Sequence, residues 1–309
     1  MTATVVLTGG TGQIGPAVAR ALLADGWRVV CPVRNLPAAA ADSGVVWVPT
    51  QFDDAAQLGR DLAPYAPSAL VHLAGSGVRP VDRDPASLVA GNVRLTAAVL
   101  GAARAWPVRR IVCAGSVAEL GDPGPLPADE TALVRPTSNY GTAKAAATVL
   151  ALGLGRTWQL PVVVLRLFGV YGPSERPDRL VPHLCRCLLT GQPAPLTSGE
   201  QVRDWTFEDD VGQAFARALA AELAPGSIYH VASGAGRSVR DMAGRLADLL
   251  GADPGLLQWG ELPQRSDEAA VLVGNPSRFA ADSGWRPQVA LDDGILRTAA
   301  HVRRQLGAV

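Results

Sequence analysis

Tyr140 and Lys144, four residues apart in NYGTAK, are the pair in this sequence best suited to moving a proton. Lys144 is the only lysine among 309 residues; apart from four histidines, every other basic side chain is arginine. The surrounding NYGTAKAAATVLALGLG is rich in Ala and Leu and predicts a helix, on which residues four apart share a face. An ammonium one turn from a phenol stabilises the phenolate, and is expected to lower the tyrosine pKa from about 10 toward the range of a working acid or base. It can also donate hydrogen bonds to a ribose, with a compact point-donor geometry that a guanidinium lacks. Ser116, near the end of the apolar run RRIVCAGS, would give the oxygen of a substrate carbonyl or carbinol a second donor beside the tyrosine hydroxyl. Ser116, Tyr140 and Lys144 are therefore the candidate catalytic residues.

A second motif supplies a place for a dinucleotide. In TGGTGQIG, residues 8–15, Gly10, Gly12 and Gly15 satisfy G-x-G-x-x-G between an apolar strand and a helix, with Gly9, Gln13 and Ile14 in the same turn. Glycines let backbone N–H groups approach a pyrophosphate at the positive end of the helix, where a Cβ would collide. At the end of the second strand, where a carboxylate would grip the ribose 2'-hydroxyl of NAD, the chain has Arg34, 19 residues beyond Gly15. An arginine there suits a 2'-phosphate, so NADP(H) is favoured and NAD(H) is the alternative. Gln51 and Phe52, after the third strand, are expected to flank the adenine.

The elements that must hold these groups alternate. Val-rich runs at 3–9, 27–33, 45–49, 69–75, 109–116 and 161–168 are near-continuously apolar, as strands of a parallel sheet buried on both faces are. Amphipathic segments fill the gaps; Ile14, Val18, Ala21 and Leu22 make one helical face that ends at Asp25-Gly26. Repeated βαβ units predict an α/β fold, a doubly wound Rossmann sheet. After residue 168 the pattern loosens into Pro- and Gly-rich loops with helices expected at 178–190, 209–222 and 238–251. The expected division is a dinucleotide-binding domain at 1–168, with 206–235 returning to it, and a smaller lobe from 169–205 and 236–309.

Composition excludes several classes. Lys plus Arg and Asp plus Glu balance at 28 each, so no overall field draws the chain to nucleic acid or an anionic membrane. Cys31, Cys113, Cys185 and Cys187 form no CxxC pair and have no His at zinc spacing; reduced thiols in a cytoplasmic protein are expected, and no metal. No apolar run is expected to span a membrane, and MTATVVLTGG reads as a first strand rather than a signal peptide.

TGxxGxxG, a Ser on the fifth strand, YxxxK, LRLFGVYGP and GEQVRDWTFEDDV together resemble the extended short-chain dehydrogenase/reductases, the nucleotide-sugar epimerases, dehydratases and ketoreductases. The resemblance runs through NPSRFAADSGWRP and implies a C-terminal lobe that binds a nucleoside diphosphate sugar. It implies that Leu73, Ala74, Gly75, Asn92 and Phe168 lie near the cofactor and that Ser76, Arg203 and Arg265 contact the substrate, the arginines at its diphosphate. It also implies a homodimer packed through segments 84–105 and 137–157. The chain departs from the pattern at Gly169, where relatives commonly carry Asn, and at Gln51, where Asp is usual. SVAE at 116–119 lacks the Thr-Asp-Glu of the 4,6-dehydratases, whose reaction needs a carboxylic acid and a base beside the tyrosine. Two enzymatic readings follow: an NADPH-dependent reductase of a 4-keto-6-deoxy sugar, favoured by Arg34, and an NAD-dependent 4-epimerase. A non-catalytic dinucleotide sensor on the same fold is a third reading, against which an intact Ser116, Tyr140 and Lys144 argue.

Overall fold

The computed structural model describes residues 2–37, 43–77, 84–264 and 268–307. Seven parallel strands form its central sheet: β1 (Thr4–Thr8), β2 (Arg28–Val33), β3 (Val46–Pro49), β4 (Pro67–His72), β5 (Arg110–Ser116), β6 (Val162–Leu167) and β7 (Ile228–Val231), in the order β7-β6-β5-β4-β1-β2-β3. The Val- and Leu-rich strands other than the edge strand β3 are largely buried on both faces because helices cover each side. On one side α1 (Gly15–Ala24) packs against α6 (Glu208–Ala220). On the other lie α2 (Ala55–Leu62), α3 (the run Pro85–Ala103, with a π-helical stretch Val89–Arg94) and α4 (Asn139–Trp158). The order in which successive strands are added reverses at β1 and β4, so the connections after these strands leave to opposite sides and a crevice opens at their carboxyl ends.

The register brings functional positions to that edge. Thr8 pairs with His72, His72 with Cys113, and Ser116 with Leu167. The glycine turn, the 73–76 loop, Ser116 and Phe168 thus all sit at carboxyl ends of neighbouring strands.

Among the described residues one helical run, α3, is long and apolar enough to cross a membrane by length and composition, contrary to the expectation that no segment would be. It is packed within the helical layer, with Val99, Leu100, Ala102 and Ala103 buried against α2, α4 and β4.

A second core gathers α5 (Leu180–Thr190), α7 (Val239–Leu250) and α9 (Leu291–Gly307) around Leu184, Met242, Leu246, Ile295 and Ala299, with Tyr171 and Phe207 at its edge. Short strands Ala194–Leu196 and Leu257–Trp259 pair beside it. Part of the 236–309 segment belongs to the sheet instead: Phe279, in α8 (Ser277–Ser283), and Trp285 pack with Tyr229 of β7.

Candidate active site

Tyr140 and Lys144 occupy the first two turns of α4, whose N-terminus is capped by Ser138 accepting from the Gly141 N–H at 3.1 Å. Gly141 lets the helix approach Ser116. A Cβ there would lie under 3.0 Å from the Ala118 carbonyl oxygen, in the 3-10 turn Val117–Glu119 that Ser116 caps. The approach brings the Ser116 side chain near enough to the Tyr140 hydroxyl to favour its ionised form. The three residues picked out by type and spacing are therefore one cluster.

The expected lowering of the Tyr140 pKa is not met. Burial of its hydroxyl raises the pKa above the ordinary phenol value, with the nearby Ser116 and Arg179 side chains opposing the shift. Lys144 is turned to β5, donating from Nζ to the Ala114 carbonyl at 2.7 Å, and its own pKa is lowered by burial. Tyr140 is thus a phenol at neutral pH. Beneath Lys144, burial and the lysine charge push His72 down to about 3, so this ring is neutral, bonded to Thr8 Oγ1 at 2.7 Å and Thr96 Oγ1 at 3.1 Å.

The glycine turn is built to receive phosphate. The Gly12 N–H closes on the Gly9 carbonyl at 2.9 Å, and a Cβ on Gly15 would overlap the Gly10 carbonyl, so the loop lies tight against α1. No side chain caps α1 and its first turn carries no acidic residue, which leaves N–H groups and the positive helix end for an anion. Gln13 reaches across to the Val170 carbonyl at 3.3 Å, and Ile14 packs partly on the core. Arg34 and Gln51 are exposed, while Phe52 is half-buried against the core.

Asn92, expected to line the cofactor, is held within the fold by its own hydrogen bonds. It is 2% exposed, and its amide donates to the carbonyls of Ser76 at 3.1 Å and Leu88 at 2.9 Å. These bonds hold the Leu73, Ala74, Gly75 and Ser76 loop in place. Phe168 is fully buried among Leu120, Ala128 and Ala232, and stacks at a tilt on His230. Arg203 is half-buried and paired with Glu268 at 2.8 Å; Arg265 lies outside the described residues. Gly169, at φ +28°, runs so close to the Asp204 carbonyl that a Cβ would overlap it, so no side-chain amide fits there on this backbone.

Over residues 5–232 the chain matches the NAD dependent epimerase/dehydratase family. It belongs to that family. It is an enzyme of the extended short-chain dehydrogenase/reductase type, with the Rossmann fold of its relatives. The UDP-glucose 4-epimerase of Mycolicibacterium smegmatis is 30% identical over 97% of this chain and 98% of its own. DesIV, a dTDP-glucose 4,6-dehydratase from Streptomyces venezuelae solved with NAD bound, superposes with a TM-score of 0.88 at 28% identity, covering 99% of this chain and 98% of that one. The Thermus thermophilus UDP-glucose 4-epimerase, in complex with NAD, gives 0.87 at 28% identity over 99% and 100% of the two chains.

Within this epimerase/dehydratase frame several polar residues were not picked out by motif. Glu119 and Arg166 form an ion pair at 3.0 Å with side chains 0% and 1% exposed, against Ser116 and Thr148. Arg179, before α5, is near enough to Tyr140 to favour its ionised form, and pairs at 3.6 Å with Glu175, whose carboxyl burial pushes up to about 7. One signal was legible: Arg166 interrupts an otherwise apolar strand, and a charge buried there requires a partner.

Proposed function

We propose that this enzyme performs hydride chemistry at C4 of a nucleoside diphosphate sugar without dehydration, and that its primary direction is NADPH-dependent reduction of a 4-keto-6-deoxy sugar. The observation that carries the reading is the clustering of Ser116, at the end of β5, with Tyr140 and, one turn further along α4, Lys144. When bound at the glycine turn, the nicotinamide dinucleotide supplies the hydride. The chain's own residues do the rest. Ser116 and Tyr140 would hold the substrate oxygen between two donors, and Tyr140, a phenol at neutral pH, would give its proton to that oxygen as negative charge develops. Lys144 lies one turn away, where its ammonium would stabilise the phenolate that results. Arg203 would meet the diphosphate, exchanging its Glu268 partner for phosphate oxygens.

Two features support reduction over dehydration. Val117 and Ala118 follow Ser116, and Glu119 is fully enclosed in its pair with Arg166, so the turn offers no free carboxylic acid. Arg34, exposed at the end of β2, favours a 2'-phosphate. A second reading, NAD-dependent 4-epimerisation, is favoured by the full-length similarity to UDP-glucose 4-epimerases, one of them solved with NAD. We further propose a homodimer through α3 and α4, where Val89 and Val149 are 43% and 66% exposed.

The deciding experiment denatures a sample to look for co-purified nucleotide, then titrates the protein with NADPH, NADP, NADH and NAD. Preferential NADPH binding that is lost in Arg34→Asp is the expected result. Tight, non-exchanging NAD would overturn the reductase direction in favour of epimerisation.

A further inference from the structure

The geometry points to Glu119 as a positioning residue that ties together the two elements carrying Ser116, Tyr140 and Lys144, and the strand β6 beside them. Its Oε1 accepts from the Ser116 backbone N–H at 2.8 Å and from Thr148 Oγ1 at 3.0 Å. Thr148 lies one turn beyond Lys144 on the same face of α4. Its Oε2 accepts from Arg166 Nε at 3.2 Å and Nη2 at 3.0 Å, on β6. One buried carboxylate thus fixes the end of β5, the catalytic helix and the neighbouring strand against one another. Arg166 is held in turn: Nη1 faces His230 Nε2 at 3.1 Å, and His230 Nδ1 faces the Ala128 carbonyl at 3.0 Å. That arrangement suits a neutral imidazole that donates through Nδ1 and accepts through Nε2, and burial with the Arg166 charge pushes His230 down to about 4.

A merely structural clamp would fix geometry alone; this one also sets charge. Glu119 favours the ammonium of Lys144 against the burial that lowers its pKa, and it favours the phenol form of Tyr140. The groups facing the cluster are Cys113 of β5, which acts on Lys144 in the same direction as Glu119, His72 of β4, Arg166 of β6, His230 of β7, and Arg179 ahead of α5. The inference rests on the reading that Ser116, Tyr140 and Lys144 are catalytic, but one test is independent of any substrate.

Because Lys144 is the only lysine, protein grown with lysine carbon-13-labelled at Cε yields a single signal that titrates with its ammonium. Glu119→Gln keeps the hydrogen-bonding shape and removes the charge, and is expected to move the Lys144 midpoint to lower pH. An unmoved midpoint in the folded variant overturns the electrostatic role. Should Arg166, stranded by that change, prevent folding, the double variant Glu119→Leu with Arg166→Leu removes both charges together and is read in the same titration. Thr148→Val keeps the ion pair and cuts the tie to α4. It is expected to lower kcat several-fold with cofactor affinity unchanged, and wild-type kcat would overturn the positioning role. If the wild-type enzyme turns over no nucleoside diphosphate sugar, the functional reading fails while the lysine titration still decides the charge effect of Glu119.

Discussion

Replacing Gly141 by alanine tests how closely the catalytic helix must approach Ser116. The added Cβ would sit 3.0 Å from the Ala118 carbonyl carbon, 3.1 Å from Pro136 Cβ and nearer still to the Ala118 oxygen. Relieving this takes a movement of about 1 Å of α4 or of the turn, a displacement that costs about 10²-fold where reacting groups must align. Stability should respond far less. Overpacking costs ~1–3 kcal/mol, and the gain in helix propensity from Gly to Ala returns about 1 kcal/mol, leaving a net loss of roughly 0–2 kcal/mol. Gly153 on the same helix is the control: a Cβ there meets nothing within 4 Å, so Gly153→Ala should raise stability by up to about 1 kcal/mol and leave kcat alone. Urea denaturation and steady-state turnover of a nucleotide-linked 4-keto sugar read the two effects separately. Wild-type kcat in Gly141→Ala would refute the claim that this contact places Tyr140 against Ser116.

Other perturbations have signs set by the structure. Glu175 is held near pKa 7 against an ordinary 4.5, so the fold keeps a proton that the unfolded chain gives up; its contribution is intact below about 4.5 and is lost as pH rises through about 7. Glu175→Gln should therefore gain up to about 3 kcal/mol over wild type between pH 5 and pH 8, at about 1.4 kcal/mol per pKa unit, measured by urea midpoints at both values. If Arg203 meets the diphosphate as proposed, Arg203→Gln removes a charge-assisted bond and should raise KM for the nucleotide sugar about 10- to 100-fold with a smaller change in kcat; an unchanged KM would remove Arg203 from the site.

Much of the fold was legible because it depends on patterns that physics reads one residue at a time. Six apolar runs marked six strands, and the glycine turn marked the crossover into α1. The seventh strand, IYHV, was not marked, because Tyr229 and His230 break the apolar signal; both are buried on account of specific partners, Tyr229 on Phe279 and His230 on Arg166. Ser116, Tyr140 and Lys144 were legible since spacing on a helix and position after a strand suffice to bring them together. The Tyr140 pKa was not, since burial outweighs Ser116 and Arg179, which lower it, and burial is a property of the packed site. The roles of Asn92, Glu119 and Arg203 depend on partners 16, 47 and 65 residues away, Ser76, Arg166 and Glu268 respectively. Such long-range pairing has no local signature.

Tyr140, proposed as the proton donor beside a bound dinucleotide, is the residue on which the proposed chemistry most directly depends. The measurement is deuterium transfer from 4-dideuterated NADPH to a nucleoside diphosphate 4-keto-6-deoxy sugar, by wild type and by Tyr140→Phe, with NADPH affinity of both measured by fluorescence. One deuterium at sugar C4 with wild type, and none with a Tyr140→Phe variant that binds NADPH as tightly, is the expected result. Undiminished transfer by Tyr140→Phe would contradict the assignment of the catalytic residues.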